Sequence, residues 1–323
     1  MEENKNTMSR RNFAKLSGLG LGSLPLIGFN NSLSNSALKP KTDIEVNLFS
    51  KHLQFLDYHE MAAVAAEIGF DGLDLTVRPK GHVLPERVAD DLPKAVAAMK
   101  KYGLNSKMMT TNVWDATNLE EKNVLVTASS SGITHYRTGW LTYPEDKTIT
   151  ESQTIYGQQA KNLELVNKDL GLIGCYQNHA GKHVGAPIWD LPPILMATNN
   201  KNMGCQYDIR HAVVEGGGSW ELGLRQILPF IKSIVIKDFK WGQVDGKWKP
   251  INTPLGQGMV DFKRYFSLLK KYEINVPISL HLEYDLGGAE HGASSITIDK
   301  KEVFAKMKKD LTFLKETWQN AAN

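Results

Sequence analysis

Tyr176-Gln177-Asn178-His179, Tyr207-Asp208-Ile209-Arg210-His211, Ile236-Lys237-Asp238 and His281-Leu282-Glu283 decide how this chain is read. Each closes a short apolar run, and helix-like segments separate the runs. Apolar runs that end in titratable side chains, repeated with helices between them, suit a (β/α)8 barrel. Its chemistry sits in the loops at the C-terminal ends of its strands. One polar residue closing a strand means little, but several at successive strand ends imply a shared mouth.

Working outward, the apolar periodicity resolves eight strand–helix units. Strands are expected over residues 44–49, 71–77, 105–111, 134–139, 172–179, 203–209, 233–239 and 276–283. Helices are expected over 57–68, 85–102, 119–130, 151–170, 189–198, 220–228, 261–272 and 300–319. Glycines 69, 103, 132, 171 and 204 punctuate helix-to-strand joins. No Gly-x-Gly-x-x-Gly follows the first strand, so an open dinucleotide-binding sheet loses its main support. The expectation is an α/β chain with a single (β/α)8 TIM barrel over residues 41–323 and no second domain. The irregular stretches 78–85, 241–258 and 284–298 all follow strands and would lie at the mouth.

Residues 1–40 read differently. Ser9-Arg10-Arg11-Asn12-Phe13-Ala14-Lys15 precedes the uncharged, glycine-rich run 16–29, a pattern similar to a twin-arginine export signal. The run is shorter than the ~20 apolar residues of a membrane span, so no stable membrane anchor is expected. Asn35-Ser36-Ala37 offers small residues for cleavage. A periplasmic location follows as an expectation. The remaining chain suits one soluble globular domain, with 41% hydrophobic and 23% charged residues. A net charge of +3, densest at Lys306-Met307-Lys308-Lys309, reads as solvated helix faces rather than a nucleic-acid surface. Of the two cysteines, Cys175 shares a strand face with Gln177, while Cys205 lies three residues before Asp208 and faces the other way. Two buried free thiols are expected.

From Ile44 to about Trp318 the chain resembles the sugar phosphate isomerase/epimerase group of xylose-isomerase-like TIM barrels. The resemblance rests on Gly69-Phe70-Asp71-Gly72-Leu73-Asp74, Asn178-His179, Tyr207-Asp208-x-x-His211-Ala212, Ile236-Lys237-Asp238, Gly256-Gln257-Gly258-Met259-Val260-Asp261 and Glu283, in that order. It implies one divalent cation (Mn, Mg, Co or Zn) that polarises vicinal sugar oxygens and acidifies an adjacent C–H. The family ligands are Glu, Asp, His and Glu on strands five to eight. Asp208 matches the strand-six ligand and Glu283 the strand-eight ligand; His211 matches a histidine that bonds a substrate hydroxyl. Gln177 stands at the strand-five position and Val235 at the strand-seven position, where the pattern breaks. By parity His179 points with Gln177 and His281 with Glu283, so an imidazole can substitute. The metal-ligand set to test is therefore Asp208, Glu283, His179 and Gln177.

Gln177 cannot act as a base. Simple two-carboxylate epimerisation is therefore disfavoured, whereas a lyase or hydratase needs one base, an acid and enediolate stabilisation. Lys237 shares the inward face and can serve as an electrophile. The expected catalytic residues are Glu283, Lys237 and His179. The expected substrate contacts are His211, Arg78, His82, Arg137 and His183, with Trp114, Trp140, Trp189 and Trp241 as candidate sugar platforms. Asp238 faces away from Lys237 and should brace a loop. The expected activity is that of an exported carbohydrate enzyme acting by proton abstraction beside a carbonyl. The alternatives are a keto-sugar or keto-glycoside lyase or hydratase, and a carbohydrate-binding barrel that has lost its chemistry. The partner is a small-molecule carbohydrate, and a homo-oligomer is compatible.

Overall fold

A computed structural model describes residues 44–322. Eight parallel strands close into a barrel: β1 (Val46–Phe49), β2 (Gly72–Thr76), β3 (Asn105–Thr110), β4 (His135–Arg137), β5 (Ile173–Gln177), β6 (Met203–Asp208), β7 (Ile231–Ile236) and β10 (Ile278–Leu280). Neighbours follow chain order, and β10 returns to pair with β1 in register Val46 to Ile278. The expected (β/α)8 architecture is thus present.

Between the strands run α1 (Tyr58–Ile68), α2 (Val88–Lys101), α3 (Leu119–Ser131), α4 (Ile149–Leu170), the short α5 (Leu191–Leu195), α6 (Ile209–Gly216), α7 (Trp220–Ile227), α8 (Phe262–Lys271) and α9 (Lys300–Asn320). Local sequence explains where they start. The side chains of Asp57, Asn118, Thr148 and Asp261 each accept a backbone N–H of the first turn, satisfying donors a helix cannot bond itself. Thr148 and Glu151 bond reciprocally as a capping box. Apolar spacing explains how they lie. Phe262, Tyr265, Phe266 and Leu269 of α8 are buried, as are Val303, Met307, Leu311 and Leu314 of α9.

Strand registers set which side chains enter the barrel. Asn47, Asp74, Thr110, Arg137, Gln177, Asp208, Val235 and Ser279 fall on the inward parity. Contacts across the interior agree: Asn47 reaches Met108 Sδ at 3.3 Å, and Ser279 Oγ donates to Asp74 Oδ2 at 2.7 Å. Cys175 pairs in register with Gly204 and Tyr176 with Cys205, so the two buried thiols lie on opposite faces and are free, as expected.

One expectation fails. The stretch read as an irregular loop, 241–258, lies mostly in an antiparallel hairpin of β8 (Asp238–Val244) and β9 (Lys247–Thr253). Its turn is Asp245-Gly246, both with positive φ, which suits a tight hairpin connection. Asp238 anchors it: its carboxylate accepts N–H groups from Phe239, Gly256, Gly258 and Val260 at 2.8–3.2 Å. The bracing role read for Asp238 is the one it has.

Candidate active site

A continuous polar ladder crosses the C-terminal ends of the strands. Arg137 at the end of β4 donates from Nη1 to Gln177 Oε1 at 3.2 Å. Gln177 closes β5 and donates from Nε2 to Asp208 Oδ2 at 2.8 Å. Asp208 closes β6 and also meets Lys237 Nζ at 3.1 Å. Lys237, just past β7, reaches Glu283 Oε2 at 3.7 Å. Glu283, past β10, meets Lys51 Nζ at 3.2 Å through Oε1, with His281 Nδ1 at 3.6 Å. Local structure holds Asp208 rigidly. It caps α6, accepting His211 N–H on Oδ1 at 3.2 Å, and Asn178 bonds both its backbone N–H and its carbonyl.

Exposure separates the two carboxylates. The Asp208 side chain is fully buried, whereas that of Glu283 is 25% exposed, so Glu283 is the one a ligand can reach. Their protonation tendencies also diverge. Burial raises the Asp208 pKa, against the pull of Lys237 and the His211 N–H. Burial pushes Glu283 up as well, but the Lys237 and Lys51 ammoniums outweigh it and hold the carboxyl well below the usual range. Glu283 is ionised and accessible, a combination suited to a base.

His211, His179, His183 and Trp140 form a cluster that meets the ladder at Asp208 and Arg137. Arg210 Nη1 lies 3.0 Å from His211 Nδ1. A guanidinium only donates, so Nδ1 accepts and Nε2 carries the proton. That Nε2–H is buried without a partner, 3.7 Å from Asp208 Oδ2. His179 makes the opposite choice. Its Nδ1 donates to the Ala180 carbonyl at 2.9 Å, leaving Nε2 as an acceptor. Burial lowers both imidazoles, His179 to about 4, so they stay neutral near pH 7. The His179 ring lies 4.0 Å from His211, 4.5 Å from Trp140 and 5.1 Å from His183. Trp140 also takes the Arg137 guanidinium on its face at 4.4 Å.

The remaining residues named from sequence divide. Arg78 sits over Phe49, which itself stacks on His281. Arg78 and Arg137 form no ion pair among the described residues, and Arg137 Nε is buried unbonded. Both can receive oxygens of a ligand. His82 turns inward instead: Nε2 bonds the Leu53 carbonyl at 3.1 Å and Nδ1 lies 3.2 Å from Ser50 Oγ. Neither ring nitrogen remains for a ligand, so His82 shapes the loop that carries Arg78. Trp114 bonds Gln159 behind the barrel wall, and Trp189 is half exposed, away from the ladder residues.

The expected metal set is not assembled in the structure. Among the described residues, no three of His, Cys, Asp or Glu are placed to hold a metal ion. The reasons are local. Lys237 Nζ lies between Asp208 and Glu283. Gln177 turns its NH2 toward Asp208 and gives its oxygen to Arg137. Val235 contributes only hydrocarbon, which leaves the His179 Nε2 as the one acceptor of the set not already bonded. The four expected ligands, Asp208, Glu283, His179 and Gln177, do not converge as a metal site, and the residues present do not fit a divalent cation.

Lys51 and Arg210 join the site without having been singled out from sequence. Lys51 lies in the 3-10 turn Ser50–Leu53 that follows β1, where strand parity gives no direction. Arg210 lies between Asp208 and His211, and its role depends on the α6 cap, which spacing alone does not reveal.

Comparison with known proteins places these observations. The family model described as xylose isomerase-like TIM barrel matches residues 62–301. No curated protein matches the chain. Among solved structures, D-allulose 3-epimerase from Methylomonas sp. is 15% identical with a TM-score of 0.63, covering 85% of this chain and 98% of its own. A xylose isomerase-like TIM barrel protein from Mycobacterium smegmatis, in complex with magnesium, is 13% identical with a TM-score of 0.61, covering 86% and 97%. The 3-keto-D-glucoside 4-epimerase of E. coli is 11% identical with a TM-score of 0.60, covering 85% and 100%. At such identities these three show the shared fold alone.

Proposed function

We propose, for a chain that belongs to the xylose isomerase-like TIM barrel family, that it is a sugar isomerase/epimerase-type enzyme which moves a proton beside the carbonyl of a small carbohydrate. One observation carries this reading. Glu283 is accessible, held ionised, and set against Lys237 at the barrel mouth. A carboxylate there removes a C–H proton, and the bond's electron pair moves into a new C=C while the carbonyl pair moves to oxygen. The resulting enediolate oxygen meets the Lys237 ammonium and the His211 Nε2–H, donors already fixed before reaction. Arg78, Arg137 and the Trp140–His179–His183 cluster bind and orient the sugar. The related solved structures named as sugar epimerases support the substrate class.

Gln177 favours one-base chemistry. Its amide donates to Asp208 where a second carboxylate would be needed to return a proton to the opposite face. Glu283 can instead return the proton to the adjacent carbon while the neighbouring hydroxyl's proton passes to the enediolate oxygen, which is isomerisation. The second reading is elimination: the C–O pair of a neighbouring leaving group departs with its oxygen, which takes the proton that Glu283 removed from the carbon.

Proton NMR in deuterium oxide tests the proposal with a panel of aldoses, ketoses and keto-glycosides. The expected result is deuterium at the carbon beside the carbonyl, slowed about 10²- to 10⁴-fold in Glu283→Gln. Tight sugar binding without exchange, unaltered by that substitution, would replace the enzyme with a binding barrel. The export reading falls on residues 1–40, outside the described residues. We infer periplasmic delivery from Arg10 and Arg11; Arg10→Lys with Arg11→Lys should leave the protein in the cytoplasmic fraction.

A further inference from the structure

We infer that the Lys237 ammonium takes the place of a divalent metal ion, so that the chain performs its reaction with a cation supplied by its own side chain. This rests on the proposed reaction type, but the geometry behind it is independent of any substrate.

Three observations converge. The Lys237 side chain is buried, with Nζ 3.1 Å from one carboxylate and 3.7 Å from the other, the position of a shared cation between acidic ligands. An ammonium has three donors; two face Asp208 and Glu283, which leaves one for a substrate oxygen. Second, the acceptor sites a metal would need are already taken. Asp208 Oδ2 receives both Gln177 Nε2 and Lys237 Nζ, and Oδ1 receives the His211 N–H. Val235, paired in register with Asp208 and two residues before Lys237, offers no ligand atom. Third, the local charge is already positive. Lys51, Arg78, Arg137, Arg210 and Lys237 outnumber Asp74, Asp208, Glu215 and Glu283 around the mouth. A divalent cation beside Lys237 would add repulsion where no spare carboxylate offsets it.

The chemistry transfers without loss of balance. Glu283 takes the proton, the enediolate oxygen takes the negative charge, and the ammonium neutralises that charge by hydrogen bonding rather than by coordination. Return of the proton restores every group. A fixed ammonium differs from a metal in one respect: it supplies one charge and directional donors, and it cannot bind two vicinal oxygens as an open coordination sphere can.

Manganese alone tests this, with no sugar present. The intact protein is titrated with MnCl2 and free Mn(II) is followed by its electron paramagnetic resonance signal. Wild type is expected to leave the signal unchanged at micromolar to tenth-millimolar metal. A combined Gln177→Glu, Val235→His, Lys237→Ala variant, checked for folding by circular dichroism, is expected to remove one Mn per chain. One Mn per wild-type chain, released by Asp208→Ala, would overturn the inference. So would a folded triple variant that binds none. Should the variant not fold, the wild-type titration decides alone. Because the titration does not involve a sugar, failure of the deuterium exchange leaves it standing, and bound manganese leaves the proton-transfer reading standing.

Discussion

Glu283 is governed by its neighbours more than by its own chemistry. Lys51 and Lys237 both lower it, and burial works against them. Removing Lys51 therefore raises its pKa toward the ordinary value of 4.5. For Lys51→Met we expect the acid limb of the pH–rate profile to move to higher pH, with the sugar's KM less affected than kcat. An unmoved limb would show that Glu283 is not the titrating base. Lys237 is held more tightly. Truncating it to methionine leaves two carboxylates facing each other without their cation, and loss of one partner from a buried pair costs about 3–5 kcal/mol. A chemical denaturation curve reads that cost directly. Asp208, Glu283, Lys237 and His211 were visible in sequence because each ends or follows an apolar run. Their roles were not. Whether an inward lysine is a spectator or a bridging cation depends on ångström distances to groups on other strands, which strand parity does not encode.

At the scale of elements, the β8–β9 hairpin is the feature least legible beforehand. Lys247-Trp248-Lys249-Pro250 lacks the clean apolar–polar alternation of a half-buried strand, and its side chains are mostly exposed. Backbone pairing and one carboxylate hold it instead. Asp238 gathers four N–H groups, and a Cβ on Gly258 would collide with that carboxylate and with the Phe239 carbonyl. Gly258→Ala is expected to destabilise the turn by about 1–3 kcal/mol, the range for breaking buried hydrogen bonds. Hydrogen exchange should then speed up at Gly256, Gly258 and Val260 and not in the β1–β10 pairing. The hairpin's base also touches the site, because Asn252 Nδ2 donates to the Glu283 carbonyl at 3.2 Å. By contrast, the strand–helix alternation was readable from end to end, because most barrel strands carry a short apolar run and most helices begin at an explicit cap.

Across the whole molecule, several imidazoles are buried neutral. Desolvation lowers His82 and His135 to about 4 and His281 to about 3, from an ordinary 6.5. The unfolded chain takes up protons at these sites as pH falls below about 6.5, while the folded chain resists until near 4 or 3. The stability linked to them is complete above about 6.5 and is lost as pH falls toward about 4, on the order of 3 kcal/mol for each ring. Melting temperatures should fall steadily from pH 7 to pH 5; a flat profile would mean these rings are protonated in the folded state.

Lys237 has a further consequence, seen in terms of supply. An enzyme that borrows its cation must find it, and can be silenced by chelators or by neighbours that hoard trace metals. A cation made by the ribosome arrives with every copy of the protein. On the reading advanced for Lys237, this barrel would keep working in metal-starved surroundings. It would also forgo the retuning of activity that exchanging one metal for another allows.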